Sequence, residues 1–154
     1  MDKPKDYLPA SAKLVFKGEI YEVWQWEQEM FDGSKRIFEK LKKPKSVSII
    51  ALIDNKIMIQ DEEQPHRNPF ISLPGGLGEE GEEPGDAAGR ELLEETGFIS
   101  DELTLWKIIL SPNSTIINEA YYFIAKGCKK IREPKLDLGE KIITKLISFE
   151  EFLL

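Results

Sequence analysis

Residues 90–98 read RELLEETGF, and the spacing of their charges decides the fold. On a helix, positions i, i+3 and i+4 share a face, so Glu91, Glu94 and Glu95 point the same way, while Ala88, Leu92 and Leu93 fall on the arc that can meet a core. Like charges so close destabilise a helix. Arg90 stands four residues before Glu94 and can pair with it, relieving part of the repulsion. Pro84 near the first turn and Gly97 at the left-handed closing position predict a helix from about 84 to 96. Carboxylates gathered without His or Cys suit a hard ion such as Mg²⁺, which is shared between protein oxygens and substrate phosphates. Taken alone, three glutamates would equally make a solvated acidic face.

Working outward, PFISL (69–73) reads as a short strand stopped by Pro74-Gly75-Gly76, and glycines 75, 76, 78 and 81 predict a flexible loop before the helix. Further upstream, SVSIIALI and KIMIQ flank a turn at Asp54-Asn55 as a core strand pair, and Asp61 to Asn68 is polar and irregular. Beyond the helix, LTLWKIIL, AYYFIAKG and KIITKLI read as strands, and SFEEFLL begins a helix. At the N-terminus, residues 13–31, which alternate after Gly18, read as one long strand. Asp32-Gly33 turns it, and SKRIFEKLKK returns as a hairpin partner. Lys43-Pro44-Lys45 breaks the pattern. The expectation is an α+β chain with an antiparallel β extension over 1–44 and the main domain over 45–154.

The chain has 154 residues, 41% hydrophobic and 32% charged, which fits a soluble globular protein with a core of ordinary size. Its net charge of −7 argues against sequence-independent binding to nucleic acid, which needs many cations facing phosphates. No run approaches the roughly 18 apolar residues of a membrane span, and no secretory signal opens the chain, so a cytoplasmic protein without membrane contact is expected. Cys128 is the single cysteine. It excludes an internal disulfide and a cysteine-based zinc site, and reads as a small half-buried residue.

The surroundings of the glutamates argue against a solvated face. Glu82 lies eight positions before Arg90, and Gly76 six before Glu82, so the pattern is G-x5-E-x7-R-E-L-x-E-E-x-G-F. This resembles the signature of the Nudix hydrolases at Gly76, Glu82, Arg90, Glu91, Leu92, Glu94, Glu95, Gly97 and Phe98. The resemblance implies an α-β-α sandwich with a mixed sheet. It also implies metal-dependent cleavage of a nucleoside diphosphate joined to another group. By the same resemblance Glu91, Glu94 and Glu95 would ligate Mg²⁺ or Mn²⁺, with Gly75 as a further ligand through its carbonyl. Glu82 and Arg90 would be supporting residues that fix loop and helix, with Gly76 and Gly97 as structural positions of the motif.

Three further features resemble the ADP-ribose pyrophosphatase branch of that family. Pro112, in LSPNST, matches a proline loop, although Asn113 stands where the branch has glycine. The extension FKGEIYEVWQWEQEMFDGSKRIFE resembles one that forms a homodimer and completes an adenine pocket. There Phe38, Trp24 or Trp26 could stack on the base, and Lys35 or Arg36 could face phosphate. The stretch LDLGEKI resembles the late acidic loop that supplies a catalytic base, which would make Glu140 the base and Glu94 the alternative. One departure stands out: a Gln-x-Arg motif is replaced by EEQPHRNPF, which leaves Arg67 as the phosphate-gripping arginine and His66 as a loop residue. The expected activity is hydrolysis of ADP-ribose or a related nucleoside diphosphate sugar to AMP and a sugar phosphate. The alternatives are a hydrolase of nucleoside triphosphates or dinucleoside polyphosphates, and a non-catalytic nucleotide sensor.

Overall fold

The computed structural model describes residues 8–110 and 115–153. The chain divides after Pro44 into two compact units, the first also taking in the chain around Ile116–Ile117.

The first unit is a four-stranded sheet in the order β1-β2-β3-β9, from β1 (Lys13–Lys17), β2 (Glu22–Glu29), β3 (Lys35–Lys42) and β9 (Ile116–Ile117). The single strand expected over 13–31 is in fact two antiparallel strands. The Gly18 amide donates to the Tyr21 carbonyl at 2.8 Å, which closes a turn inside the apparent alternation. Strand-like residues flank the short turn on both sides and Gly18 is its one cue, which is why the sequence reads as one strand. β2 and β3 then pair as the expected hairpin, with Trp26 opposite Phe38. Their ring centroids lie 5.9 Å apart, a tilted aromatic pair.

The second unit holds β4 (Ser46–Ile53), β5 (Lys56–Gln64), β6 (Arg67–Ser72), α1 (Pro84–Thr96), β7 (Phe98–Ile99), β8 (Glu102–Leu110), β10 (Glu119–Lys126), β11 (Lys129–Lys130), β12 (Lys141–Ile147) and α2 (Phe149–Phe152). Its main sheet runs β12-β5-β4-β10-β8, with β6 also on β5. β4 lies parallel to β10 and antiparallel to β5, so the sheet is mixed and the fold is α+β. Alternate residues of β4 and β10 meet in register, Val47 with Tyr121, Ile49 with Phe123 and Ala51 with Ala125. These rows face Ala87, Ala88 and Leu92 of α1 to form the buried core. The two alanines let the helix approach the sheet closely, and burying Leu92 contributes about 1.5–3 kcal/mol. β5 alternates too: Met58 belongs to that core, while Ile59 lines a cavity with Phe152 on the other face, which puts α1 and α2 on opposite sides of the sheet.

Two segments differ from expectation. Asp61 to Asn68 is not irregular: β5 continues to Gln64, Pro65-His66 makes the turn, and β6 returns. Its polar residues lie in ladders with β12 and β6, where pairing outweighs weak strand propensity. The glycine loop is also less free than its composition suggests. Gly76 exchanges both backbone hydrogen bonds with Val47, the Ile49 amide donates to the Pro74 carbonyl, and the Gly78 amide to Lys45. The loop is therefore laced to the edge of β4.

Helix α1 ends as anticipated at Gly97, with φ 77°, where the amide donates to the Leu93 carbonyl. A Cβ there would sit 1.9 Å from the Arg132 carbonyl oxygen. Gly97→Ala should cost about 1–3 kcal/mol of backbone strain plus that clash and lower the urea midpoint of unfolding. An unchanged midpoint would contradict the closure described.

Candidate functional site

The helix and the glycine loop bring the acidic residues into one pocket. A cavity of about 340 Å³ is lined by Gly75, Gly76, Leu77, Glu79, Arg90, Glu91, Glu94, Glu95, Lys135, Asp137 and Glu140. The loop carrying the last three is tied to the end of α1, the Lys135 amide donating to the Glu94 carbonyl at 2.7 Å and the Ile131 amide to Gly97 at 2.9 Å.

Arg90 organises the rim. Its Nε and Nη2 donate to the two oxygens of Glu82 at 2.9 and 3.0 Å, a bidentate fork. Nη2 also reaches the Leu77 carbonyl at 3.1 Å, while Nη1 donates to Glu91 at 2.9 Å and Glu94 at 3.2 Å. Glu82 in turn accepts from the Glu79 amide at 2.9 Å. Loop and helix are thus clamped by one guanidinium, which holds the Glu82 carboxyl below the usual carboxylate range. The Glu partners raise the proton affinity of Arg90 in return.

The three helix glutamates are not equivalent. Glu95 is buried, 6% exposed, and its Oε2 accepts from the Gly75 amide at 2.9 Å and from Gln60 Nε2 at 3.1 Å. Burial pushes its carboxyl up to about 8, with Glu91 and Glu140 adding to the rise and the two donors opposing it. Burial likewise raises Glu91, with Arg90 opposing and Glu94 and Glu140 adding. A Cβ on Gly76 would meet Glu91 Oε1 at 2.5 Å, so glycine is what leaves room for that carboxylate. Glu140 is raised by burial and then by the charges of Asp137, Glu62 and Glu94.

As arranged, no three His, Cys, Asp or Glu side chains among the described residues form a ready ligand set. The hydrogen bonds supply the reason: Arg90 draws Glu91 and Glu94 to itself, and Gly75 with Gln60 draws Glu95. The donor set nevertheless fits a hard divalent cation. It offers carboxylate oxygens in a confined pocket where burial and neighbouring charges raise the proton affinity of Glu91, Glu95 and Glu140, a cost that a cation relieves.

The other expected residues lie as follows. Arg67 lines a second cavity with Pro65, Pro69, Leu138 and Lys141, which Glu140 also lines, and its guanidinium stacks 3.6 Å from the Phe70 ring centroid. Arg36 and Phe38 belong to β3 in the N-terminal unit, where Lys35 pairs with Glu27 at 2.7 Å. Trp24 sits under the Lys42 ammonium, and Trp26 is buried beside Phe38. Pro112 lies outside the described residues. His66 is in the β5–β6 turn, and Cys128 is a half-buried free thiol. Gln60, Lys135 and Asp137 were not anticipated. Gln60 alone carried a signal: a polar residue two positions after Met58 on the inward face of an alternating strand.

The NUDIX domain model matches residues 42–153. Among curated proteins, ADP-ribose pyrophosphatase of Bacillus subtilis (strain 168) is 27% identical over 146 residues, covering 93% of this chain and 79% of that protein. Methanol dehydrogenase activator of Bacillus methanolicus is 29% identical over 139 residues, covering 88% and 74%. ADP compounds hydrolase NudE of Escherichia coli (strain K12) is 26% identical, covering 67% and 58%. A crystal structure of ADP compounds hydrolase superposes with a TM-score of 0.75 at 19% identity, covering 94% of this chain and 79% of that one, a likeness of fold. No helix among the described residues is long and apolar enough to cross a membrane.

The Glu95 carboxyl supplies a pH prediction. Its folded value, about 8, lies above the ~4.3 of an unfolded glutamate. Between those values the folded chain holds a proton that the unfolded chain has lost, so the metal-free protein loses stability as pH rises through the window. Urea midpoints in EDTA should fall from pH 6 to pH 8.5, and Mg²⁺ should recover more stability at the higher pH. A flat profile would count against a buried, mutually repelling cluster.

Proposed function

The chain belongs to the NUDIX family, hydrolases of compounds built on a nucleoside diphosphate, and from that membership we propose that its substrate is ADP-ribose or a closely related nucleoside diphosphate sugar, cleaved to AMP and a sugar phosphate. The observation that carries this reading is the convergence of Glu91, Glu94, Glu95 and Glu140 on one pocket beside Gly75 and Gly76. The names of the Bacillus subtilis and Escherichia coli relatives support the ADP-linked substrate.

In this reading Glu91, Glu94 and Glu95, with the Gly75 carbonyl, hold Mg²⁺ or Mn²⁺. A divalent ion so placed would neutralise diphosphate charge and make bound water more acidic. Glu140 accepts the proton of the attacking water as its oxygen bonds to phosphorus and the anhydride P–O bond breaks. The raised proton affinity of Glu140 suits a base, since an ordinary exposed carboxylate binds a proton too weakly near neutral pH. Arg90 keeps Glu91 and Glu94 oriented toward the pocket. Arg67, in the cavity that adjoins at Glu140, takes the group beyond the scissile bond. Arg36 and Phe38 contact the nucleotide in a homodimer.

The test is product analysis with Mg²⁺ over ADP-ribose, ADP-glucose, GDP-mannose, dinucleoside polyphosphates and nucleoside triphosphates. AMP should appear fastest from ADP-ribose; preferential cleavage of triphosphates or dinucleotides would overturn the substrate assignment. Glu140→Gln should lower kcat on the order of 10²- to 10⁴-fold, the usual contribution of a general base, with little change in KM. Activity within a few-fold of the unaltered protein would remove Glu140 as base. Phe38→Ala should raise KM while sparing kcat.

A further inference from the structure

Glu95 enters the pocket from a buried position, and a second buried side chain stands directly behind it. On β5, alternate residues face α1: Met58 joins the apolar core, Gln60 follows, and Glu62 comes next, near enough to Glu140 to raise its proton affinity. Gln60 is 0% exposed, and in the ladders it pairs with Ser72 of β6 and Thr144 of β12. Its carboxamide nitrogen is held by Glu95, and its oxygen shares the single Ser72 hydroxyl proton with Glu62. Nε2 donates to Glu95 Oε2 at 3.1 Å, and Oε1 accepts from Ser72 Oγ at 3.3 Å. The Ser72 hydroxyl also lies 3.0 Å from Glu62 Oε2, which places it between an amide and a carboxylate.

The pattern on Glu95 is one-sided. Gln60 and the Gly75 amide both donate to Oε2, and among the described residues Oε1 accepts no hydrogen bond, although Glu95 lines the pocket. One oxygen is anchored and the other is left over.

The chemical type of residue 60 matters for the same reason. A Met or Leu there would extend the Met58 core without the cost of burying an amide, which is unfavourable unless its hydrogen bonds are made. A Lys or Arg would neutralise Glu95 and compete with any cation, and a Glu would repel it. An amide restrains the carboxylate without adding a countercharge.

We propose that Gln60 is a positioning residue that anchors Oε2 of Glu95 so that Oε1 is presented to a divalent cation, and that it thereby sets the affinity of the pocket for that cation. This role rests on the cation-dependent reading of the pocket. It follows the general behaviour of groups that hold a metal ligand from behind, whose loss costs about 10- to 100-fold in metal affinity.

The test is Mn²⁺ binding to the intact protein without substrate, followed by electron paramagnetic resonance, for the unaltered chain, Gln60→Met and Gln60→Asn. Met conserves volume and removes the donor; Asn keeps an amide but shortens its reach. Urea midpoints in EDTA report fold stability separately. Both variants should bind Mn²⁺ at least tenfold more weakly, with a midpoint for Gln60→Met equal to or above that of the unaltered protein. If Gln60→Met fails to fold, Gln60→Asn decides alone. Mn²⁺ affinity within twofold of the unaltered protein in a folded variant would overturn the role of Gln60 and leave the pocket reading standing. Weakening only in proportion to a lowered midpoint would also overturn it, as a purely structural effect. Failure of the unaltered protein to bind Mn²⁺ would overturn the cation reading and this role with it.

Discussion

Forced proximity of carboxylates is the constraint from which the rest of the second unit follows. Glu91, Glu94, Glu95 and Glu140 line one small cavity, where burial first, and then neighbouring charges, make Glu91, Glu95 and Glu140 harder to ionise. Left to themselves such groups would splay apart. Two devices prevent it. Arg90 spans Glu82, Glu91, Glu94 and the Leu77 carbonyl with a single planar fork, and two neutral N–H donors pin Glu95 from behind. The first device spends positive charge on the cluster; the second spends none, so charge remains for a cation and an anionic diphosphate.

Holding that cluster requires rigidity on both sides of it, and the fold provides this from ordinary packing. The paired rows of β4 and β10 form an apolar surface, and Ala87 and Ala88 bring α1 close to it. The glycine loop is laced to the edge of β4 through Gly76, Pro74 and Gly78, so Gly75 is fixed where its amide meets Glu95. On the far side, the chain from Ile131 to Lys135 is bonded to Gly97 and Glu94 at the end of the helix. Gly97 therefore does more than end α1, because its carbonyl accepts from the Ile131 amide and ties down the chain that leads to Lys135, Asp137 and Glu140.

Legibility tracked the range of the physics involved. The bounds of α1 are readable because Pro84 and Gly97 act locally, and β4 is readable from the apolar run Ile49–Ile53 that ends at the Asp54-Asn55 turn. The motif residues around the pocket were readable from their spacing. Residues 13–31 read as one strand because strand-like residues lie on both sides of the short Gly18–Tyr21 turn. Asp61 to Asn68 was misread because its strand state comes from partners about eighty and ten residues away rather than from its own composition. Gln60 escaped notice for a related reason: a polar residue inside an apolar strand acquires meaning only when the helix that it faces is in place. Lys135 and Asp137 were invisible because only tertiary hydrogen bonds bring their loop to the pocket.

Anomalous diffraction from crystals soaked in Mn²⁺ tests most directly whether the carboxylate cluster is a cation site. The account predicts manganese peaks in the pocket, within coordination distance of Glu91, Glu94 and Glu95, with the Arg90 side chain drawn back from Glu91 or Glu94 to free an oxygen. Manganese bound only elsewhere on the molecule, with the Arg90 clamp unaltered, would contradict it.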